Sequence, residues 1–258
     1  QEQRDRRADG SRHGARVSAT ATPADVLAGT ARWAVVEEDC LATMRAMPDA
    51  SVDAVLMDPP YGVDIAEWDG DLPPQTWLDE CLRISRGTVL WFGAASKVLE
   101  FANYKPPPDR IMVWAPAFSL ARTSAHGIFY RWHPIVLWRP AANKGAVPFD
   151  VLRHNTHGRN EWNHNCTKPL KLMRDLVLAF SPPDGVVFDG TAGSGTTGAA
   201  ALAEGRRAIL CETDPRHAQT CRDRCIEAET GVDWRKPGQS WLFDDAAVKK
   251  KGRKKAAK

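Results

Sequence analysis

The chain reads as an alternation of short apolar runs, helical stripes and polar punctuation. Residues 1 to about 30 show no hydrophobic period and are rich in Arg, Ala, Ser, Thr and Gly, which predicts a disordered basic arm. Trp33-Ala34-Val35-Val36 is the first strand pattern, followed by a helix from Cys40 to about Met47 and a turn at Pro48-Asp49. Asp53-Ala54-Val55-Leu56-Met57 reads as a buried strand feeding Asp58-Pro59-Pro60-Tyr61 and then a Gly/Pro/Asp-rich loop to Pro74. Trp77, Leu78, Cys81, Leu82 and Ile84 recur at helical spacing, Thr88 to Gly93 is a central-strand pattern, and Ala95 to Tyr104 reads as helix. Two β patterns, Ile111 to Trp114 and Ile135 to Trp138, flank a polar, basic loop from Ser119 to Trp132.

Periodicity is lost from Arg139 to Asn165 and returns in a helix opened by Thr167-Lys168-Pro169, with Thr167 as the expected N-cap. Its stripe is Leu170, Met173, Leu176, Val177 and Phe180. A strand ending at Asp189, a glycine-rich loop, an alanine-rich helix, a strand from Ala208 to Glu212 and a helix from Asp214 to Thr230 complete the pattern. Such alternation predicts an α/β fold with a mostly parallel sheet covered by helices on both faces.

Composition narrows the class. With 258 residues, 43% apolar and 26% charged, the chain is long enough for a full core and has a soluble globular balance. No apolar run approaches the roughly 20 residues of a membrane span, and the polar amino end lacks a signal-peptide core, so an intracellular protein is expected. The six scattered cysteines fit reduced, buried thiols better than a disulfide framework. The net charge of +3 is unevenly spread. Residues 249–258 hold seven basic side chains and no acid, and residues 103–171 hold ten Lys/Arg against three Asp/Glu, with five of the seven histidines. The rest is therefore acidic, as expected if one internal segment and one tail face a polyanion.

Two stretches carry chemistry. In Asp58-Pro59-Pro60-Tyr61 the prolines remove two backbone donors, leaving a carboxylate, accepting carbonyls and a flat ring at a strand exit. That set suits the exocyclic amino group of a planar base. The second is Gly193-Ser194-Gly195-Thr196-Thr197-Gly198, between a strand and a helix, with Glu212 placed to end the next strand. This spacing fits a dinucleotide or S-adenosylmethionine, both of which offer an adenosine ribose to the carboxylate. Asp189 before the loop would face a cation better than a pyrophosphate, which favours the methyl donor.

In this order the motifs resemble the permuted, beta-type DNA amino-methyltransferases, specific for adenine N6 or cytosine N4, whose catalytic tetrapeptide precedes the cofactor loop. The matching pieces are Glu38-Asp39-Cys40, Ser51-Val52-Asp53 with Asp58-Pro59-Pro60-Tyr61, Trp68-Asp69, Thr167-Lys168-Pro169, Asp189 with Gly193 to Thr197, and Glu212. The resemblance implies a Rossmann-like S-adenosylmethionine-dependent fold with a seven-stranded sheet and circularly permuted motif order. It places a methyltransferase domain at 31–232, a short target-recognition insert at about 139–165, and a Lys/Arg-rich extension at 233–258.

It also implies roles. Asp58 and the Pro59 carbonyl would accept from the target amine, beside Pro60, and Tyr61 would stack on the flipped base. The cofactor would be held by Asp39, Cys40, Asp58, Lys168, Pro169, Asp189, Thr191, Gly193, Ser194, Gly195, Thr196, Thr197 and Glu212. Of these, Asp189 and the loop take its methionine part, Glu212 its ribose and Asp39 its adenine. Candidate DNA contacts are Arg122, Arg131, Trp132, Arg139, Lys144, Arg153, His154, His157, Arg159 and Trp162. No metal is expected, although His154, His157, His164 and Cys166 are a zinc alternative with atypical spacing.

The activity implied is N6-adenine methylation of double-stranded DNA in a prokaryotic or phage-encoded cytoplasmic, nucleoid-associated setting, by a homodimer or beside a cognate restriction endonuclease. Cytosine-N4 or RNA methylation, and a catalytically silent DNA-binding relative, are the alternatives. Two positions depart from the family pattern: Gly190 and Thr191 stand where it has Pro and an aromatic, which would alter packing around the cofactor. Pro134, after His133, replaces an acid the family often carries.

Overall fold

The structure is a computed structural model that describes residues 21–63, 69–116, 130–143, 149–155 and 167–231. Its centre is one eight-stranded sheet among the described residues, with helices on both faces. The first half supplies strands β1 (Trp33–Val36), β2 (Ala54–Met57), β3 (Val89–Phe92), β4 (Arg110–Trp114) and β5 (His133–Trp138). The second half adds β6 (Val151–Leu152), β7 (Val186–Asp189) and β8 (Arg207–Cys211), giving the order β1-β8-β7-β2-β3-β5-β4-β6. The helices are α1 (Pro23–Ala28), α2 (Cys40–Ala46), α3 (Gln75–Ile84), α4 (Leu170–Phe180), α5 (Thr196–Ala203) and α6 (Pro215–Thr230).

Why these residues form strands is visible in the burial. All four residues of β2, β3 and β7 are buried, so they read as continuous apolar runs and not as alternation. The period of two survives in which side each residue serves. Ala54 and Leu56 join the core of Leu172, Leu176 and Ala200, whereas Val55 and Met57 join that of Met44, Leu78 and Cys81.

Four sequence expectations are corrected. The irregular arm ends earlier than residue 30, because Pro23–Ala28 is a helix whose Thr22 and Asp25 form a reciprocal capping box. The segment from Ala95 is a 3₁₀ helix to Asn103. Pro169, not Thr167, occupies the N-cap of α4, and no side chain caps that end. The sheet has eight strands, not seven, since Val113 and Trp114 of β4 pair with the two residues of β6 inside the supposedly irregular insert. The other expected helices and strands are present within a residue or two of their expected ends.

The sheet is mostly parallel, but β5 runs antiparallel to both β3 and β4. This reversal has a functional consequence. The amino end of β5, at His133, lies at the same edge of the sheet as the carboxyl ends of β2, β3, β7 and β8.

Helix α5 packs against both α4 and α6, with Thr196 to Leu202 all buried. Small residues permit this approach. A Cβ added to Gly198 would lie 2.4 Å from Leu210 Cδ1 and 2.9 Å from Cys225 Sγ. Overpacking of this kind costs about 1–3 kcal/mol or more. Gly198→Val is therefore expected to lower the melting temperature by at least several degrees in calorimetry; an unchanged midpoint would contradict the packing.

The five described cysteines are buried and free, as their sequence context predicts. No described helix is long and apolar enough to cross a membrane.

Candidate active site

Strands β2 and β7 are neighbours, so their carboxyl ends bring Asp58 and Asp189 to one place although 131 positions separate them in sequence. Open parallel sheets bind ligands at such positions. The amino ends are tied as well: Asp53 Oδ2 accepts from Val186 N–H at 2.7 Å, and Arg86 pairs with Asp53 at 2.9 Å. At the functional end, the Thr191 hydroxyl accepts from Asp58 N–H at 3.1 Å, and Thr191 N–H donates to Asp189 Oδ1 at 3.0 Å. The threonine thus links the two motifs. Gly190 has no room for a larger residue, since an added Cβ would meet Cys40 Cβ at 2.8 Å and Met57 Cε at 2.9 Å.

A cavity of about 400 Å³ lies over these strand ends. Of the expected site residues, Asp39, Cys40, Asp58, Pro60, Lys168, Asp189, Thr191, Gly193, Ser194, Thr196, Thr197 and Glu212 line it. Pro59, Tyr61, Pro169 and Gly195 are not among its lining residues. Trp77, Phe92, Met173 and His217 were not singled out from sequence, yet they complete the walls.

The carboxylates at the cavity differ in environment. Asp189 is buried, and desolvation pushes its pKa up to about 7, against hydrogen bonds from the Thr197 side chain and Thr191 N–H. The neighbouring Asp58 and Glu212 charges push it further in the same direction. Glu212 instead fastens backbone, accepting from Gly193 N–H at 2.8 Å and Asp214 N–H at 2.9 Å. Asp39 caps α2 through a bond from Leu41 N–H at 2.9 Å.

The glycine loop is held from below by Arg224 of α6, a buried residue that sequence reading missed. Its guanidinium donates to Ser194 O and Oγ at 3.0 Å and to Thr196 Oγ1 at 2.8 Å. Gly195 sits at φ +77°, and an added Cβ there would meet Cys221 Sγ at 2.8 Å. A charged residue in a helix rich in charges gives no sequence signal that it turns inward.

Around the tetrapeptide, Tyr61 donates its hydroxyl to Asp58 Oδ1, and Lys168 forms an ion pair with Asp58 Oδ2. Lys168 Nζ also lies 3.0 Å from the Tyr61 hydroxyl. The loop beyond is pinned by Asp69, which is buried and accepts from the N–H groups of Tyr61, Gly62 and Val63. On the far side His133 stacks on Trp114 with ring centroids 4.7 Å apart. Burial, then the Lys168 ammonium, holds its pKa down to about 4, so it is neutral at physiological pH.

The expected DNA contacts divide. Arg131, Trp132 and Arg153 line a second, open cavity of about 670 Å³ with Val113, Ala115 and Pro116. Arg139 is corrected. It follows Trp138, which pairs with Val89 at the opposite end of β3, and its guanidinium donates to Leu82 O at 2.9 Å and Ser85 O at 3.2 Å. It closes the end of α3 and does not join the basic cavity. His154 is tied to Asp175 at 2.9 Å, and its carbonyl accepts from Trp114 Nε1 at 2.8 Å. Arg122, Lys144, His157, Arg159 and Trp162 lie outside the described residues, as do Trp68, His164 and Cys166.

The family model described as DNA methylase, covering N6 and N4 amino-methyltransferases, matches residues 103–223, which include Lys168, the glycine loop and Glu212. Among curated relatives, the type II methyltransferase M.HinfI of Haemophilus influenzae is 25% identical over 251 residues, covering 75% of this chain and 68% of its own. The Escherichia coli K12 protein YubD is 27% identical over 226 residues, covering 82% and 98%. Over these stretches the chain is similar to DNA amino-methyltransferases.

Solved amino-methyltransferases share its fold. The cytosine-N4-specific PvuII DNA methyltransferase superposes with a TM-score of 0.61 at 15% identity, over 78% of this chain and 94% of that one. M1.HpyAVI in complex with SAM gives 0.58 at 18% identity, over 74% and 99%. In this chain the tetrapeptide strand precedes the glycine-loop strand, which is the permuted order expected from the sequence.

Proposed function

We infer that the protein transfers a methyl group from S-adenosylmethionine to the N6 amino group of adenine in DNA. The observation that carries this reading is the shared cavity. A strand-end carboxylate, hydrogen-bonded to the adjoining Tyr61 hydroxyl, faces the same space as a buried, second carboxylate and a glycine loop.

The residues fit the methyl donor. A volume of about 400 Å³ suits a ligand of that size, and Asp189 is a buried carboxylate facing the cavity, suited to an ammonium. Glu212 uses one lone pair on each oxygen for backbone N–H groups, which leaves acceptor capacity for ribose hydroxyls. Bound there, the cofactor supplies an electrophilic methyl group.

The chain's own groups supply the rest. An aromatic amine is a weak nucleophile because its lone pair is delocalised into the ring. Asp58 and the Pro59 carbonyl accept hydrogen bonds from its two N–H groups and favour a tetrahedral nitrogen, while Tyr61 offers a face to the flipped base. Positioning and fixed dipoles account for the acceleration, and no covalent enzyme intermediate is required. Arg131, Trp132 and Arg153 give the DNA a basic, aromatic groove at the same edge of the sheet.

Aspartate at position 58, where serine is commoner in cytosine-N4 relatives, supports adenine. The test is expression in a host without DNA methylation, followed by mass spectrometry of DNA nucleosides. N6-methyladenine is the expected product. N4-methylcytosine alone would replace the adenine reading with the cytosine one, and neither base would count against transfer to DNA.

A further inference from the structure

Lys168 occupies an unusual place for a residue at the mouth of a cofactor cavity. Its ammonium is bonded to the Asp58 carboxylate, which is expected to receive the target amine, and at 3.0 Å to the hydroxyl of Tyr61, which is expected to stack on the base. It also lies over two aromatic faces, 5.5 Å from the Tyr61 ring centre and 5.0 Å from that of Phe92. With a side chain only 10% exposed, it is boxed by acceptors and π faces, as a cationic or N–H-donating ligand would be.

We propose that Lys168 is an internal surrogate for the target amino group and competes with the incoming base for Asp58. The proposal rests on the methyltransferase reading and deepens it. The chemistry requires Asp58 to accept from a base N–H, yet its two oxygens already carry a charge-assisted bond from Lys168 and a bond from the Tyr61 hydroxyl, which neutralise the carboxylate and weaken its remaining lone pairs as acceptors. An incoming base therefore competes with a tethered ammonium, whose effective concentration is high because the chain holds it in place.

Lys168 also lines the cavity that receives the cofactor, and the anionic group which that ligand brings is its carboxylate. Exchange of one carboxylate partner for another lets cofactor binding withdraw the ammonium from Asp58. Lys168 thereby acts as a positioning residue that couples the two sites. By linkage, the coupling is reciprocal: whatever factor the cofactor adds to base affinity, the base adds to cofactor affinity.

The test uses the full chain and S-adenosylhomocysteine, which carries the same carboxylate but no transferable methyl. Fluorescence anisotropy compares a labelled duplex bearing one bulged adenine with the fully paired duplex. Wild type is expected to prefer the bulge by about tenfold with S-adenosylhomocysteine and by less than about twofold without it, a coupling of ordinary size. Lys168→Met is expected to prefer the bulge without any cofactor.

A second variant reads the other side. Asp58→Asn loosens Lys168 and should tighten S-adenosylhomocysteine binding on the order of fivefold. A wild-type bulge preference independent of S-adenosylhomocysteine, a Lys168→Met profile identical to wild type, or an Asp58→Asn affinity no tighter than wild type would each overturn the proposal. Failure of wild type to bind S-adenosylhomocysteine at all would instead strike the methyltransferase reading.

Discussion

Asp58→Ala is expected to reduce methyl transfer by at least about a thousandfold while the protein still binds the cofactor. The size follows from the role. Removing one preorganised group that acts on the developing charge of a reacting centre costs roughly 10²–10³ in rate, and Asp58 also positions the amine. Binding should persist because the proposed cofactor contacts, Asp189 at the end of β7 and Glu212 beyond β8, lie on other strands. Loss of the carboxylate also releases Lys168, so the affinity should not fall. Single-turnover transfer rates and calorimetric binding to the same preparation check this. A variant that transfers slowly because it no longer binds cofactor would assign Asp58 to the wrong ligand.

The second large effect is a pH dependence set by Asp189. In the free protein, burial holds this carboxyl up to about 7, whereas an unfolded aspartate titrates at 3.8. Between those values the folded state binds the extra proton, so the contribution of Asp189 to stability falls as pH rises through that window and levels above it. A cationic ligand favours the charged form. Cofactor binding must therefore expel a proton below about pH 7, and affinity should rise up to tenfold per pH unit before levelling there.

At alkaline pH the ligand's own α-ammonium is lost, which gives a falling limb. Isothermal titration of S-adenosylhomocysteine in buffers of different ionisation enthalpy measures the proton released. Asp189→Asn should abolish the low-pH dependence and weaken binding at pH 7.5. An unchanged profile in that variant would remove Asp189 from the cofactor site.

Much of this was legible in the sequence for an identifiable reason. Strands β2, β3, β7 and β8 are buried on both faces, so their apolar runs stand out without alternation. The two motifs sit where strand exits must be, and neighbouring parallel strands leave them little choice but to meet. The six-residue helix α1 was missed because it buries only Val26, although its Thr22 and Asp25 cap signal was present.

What local pattern cannot encode is direction and long-range pairing. The reversal of β5, which carries His133 to the catalytic edge, leaves no trace in the run Ile135 to Trp138. Lys168 and Asp58 are 110 positions apart, so their ion pair needed the fold. Arg139 illustrates the opposite error: it was assigned to DNA by charge alone, and its guanidinium is bound to carbonyls at the end of α3. Basic residues report a partner only when the fold leaves their heads turned outward. Arg131 and Arg153 instead line one groove with Trp132.

The central claim is that Asp58 and the Asp189 loop serve one reaction in one cavity. Its most direct test supplies purified protein with S-adenosylmethionine carrying a deuterated methyl group and with unmethylated genomic DNA, then measures the nucleosides by mass spectrometry. The account predicts trideuterated N6-methyladenine from wild type and none from Asp58→Ala at saturating cofactor. Absence of label in every base, or equal label from the variant, would contradict it.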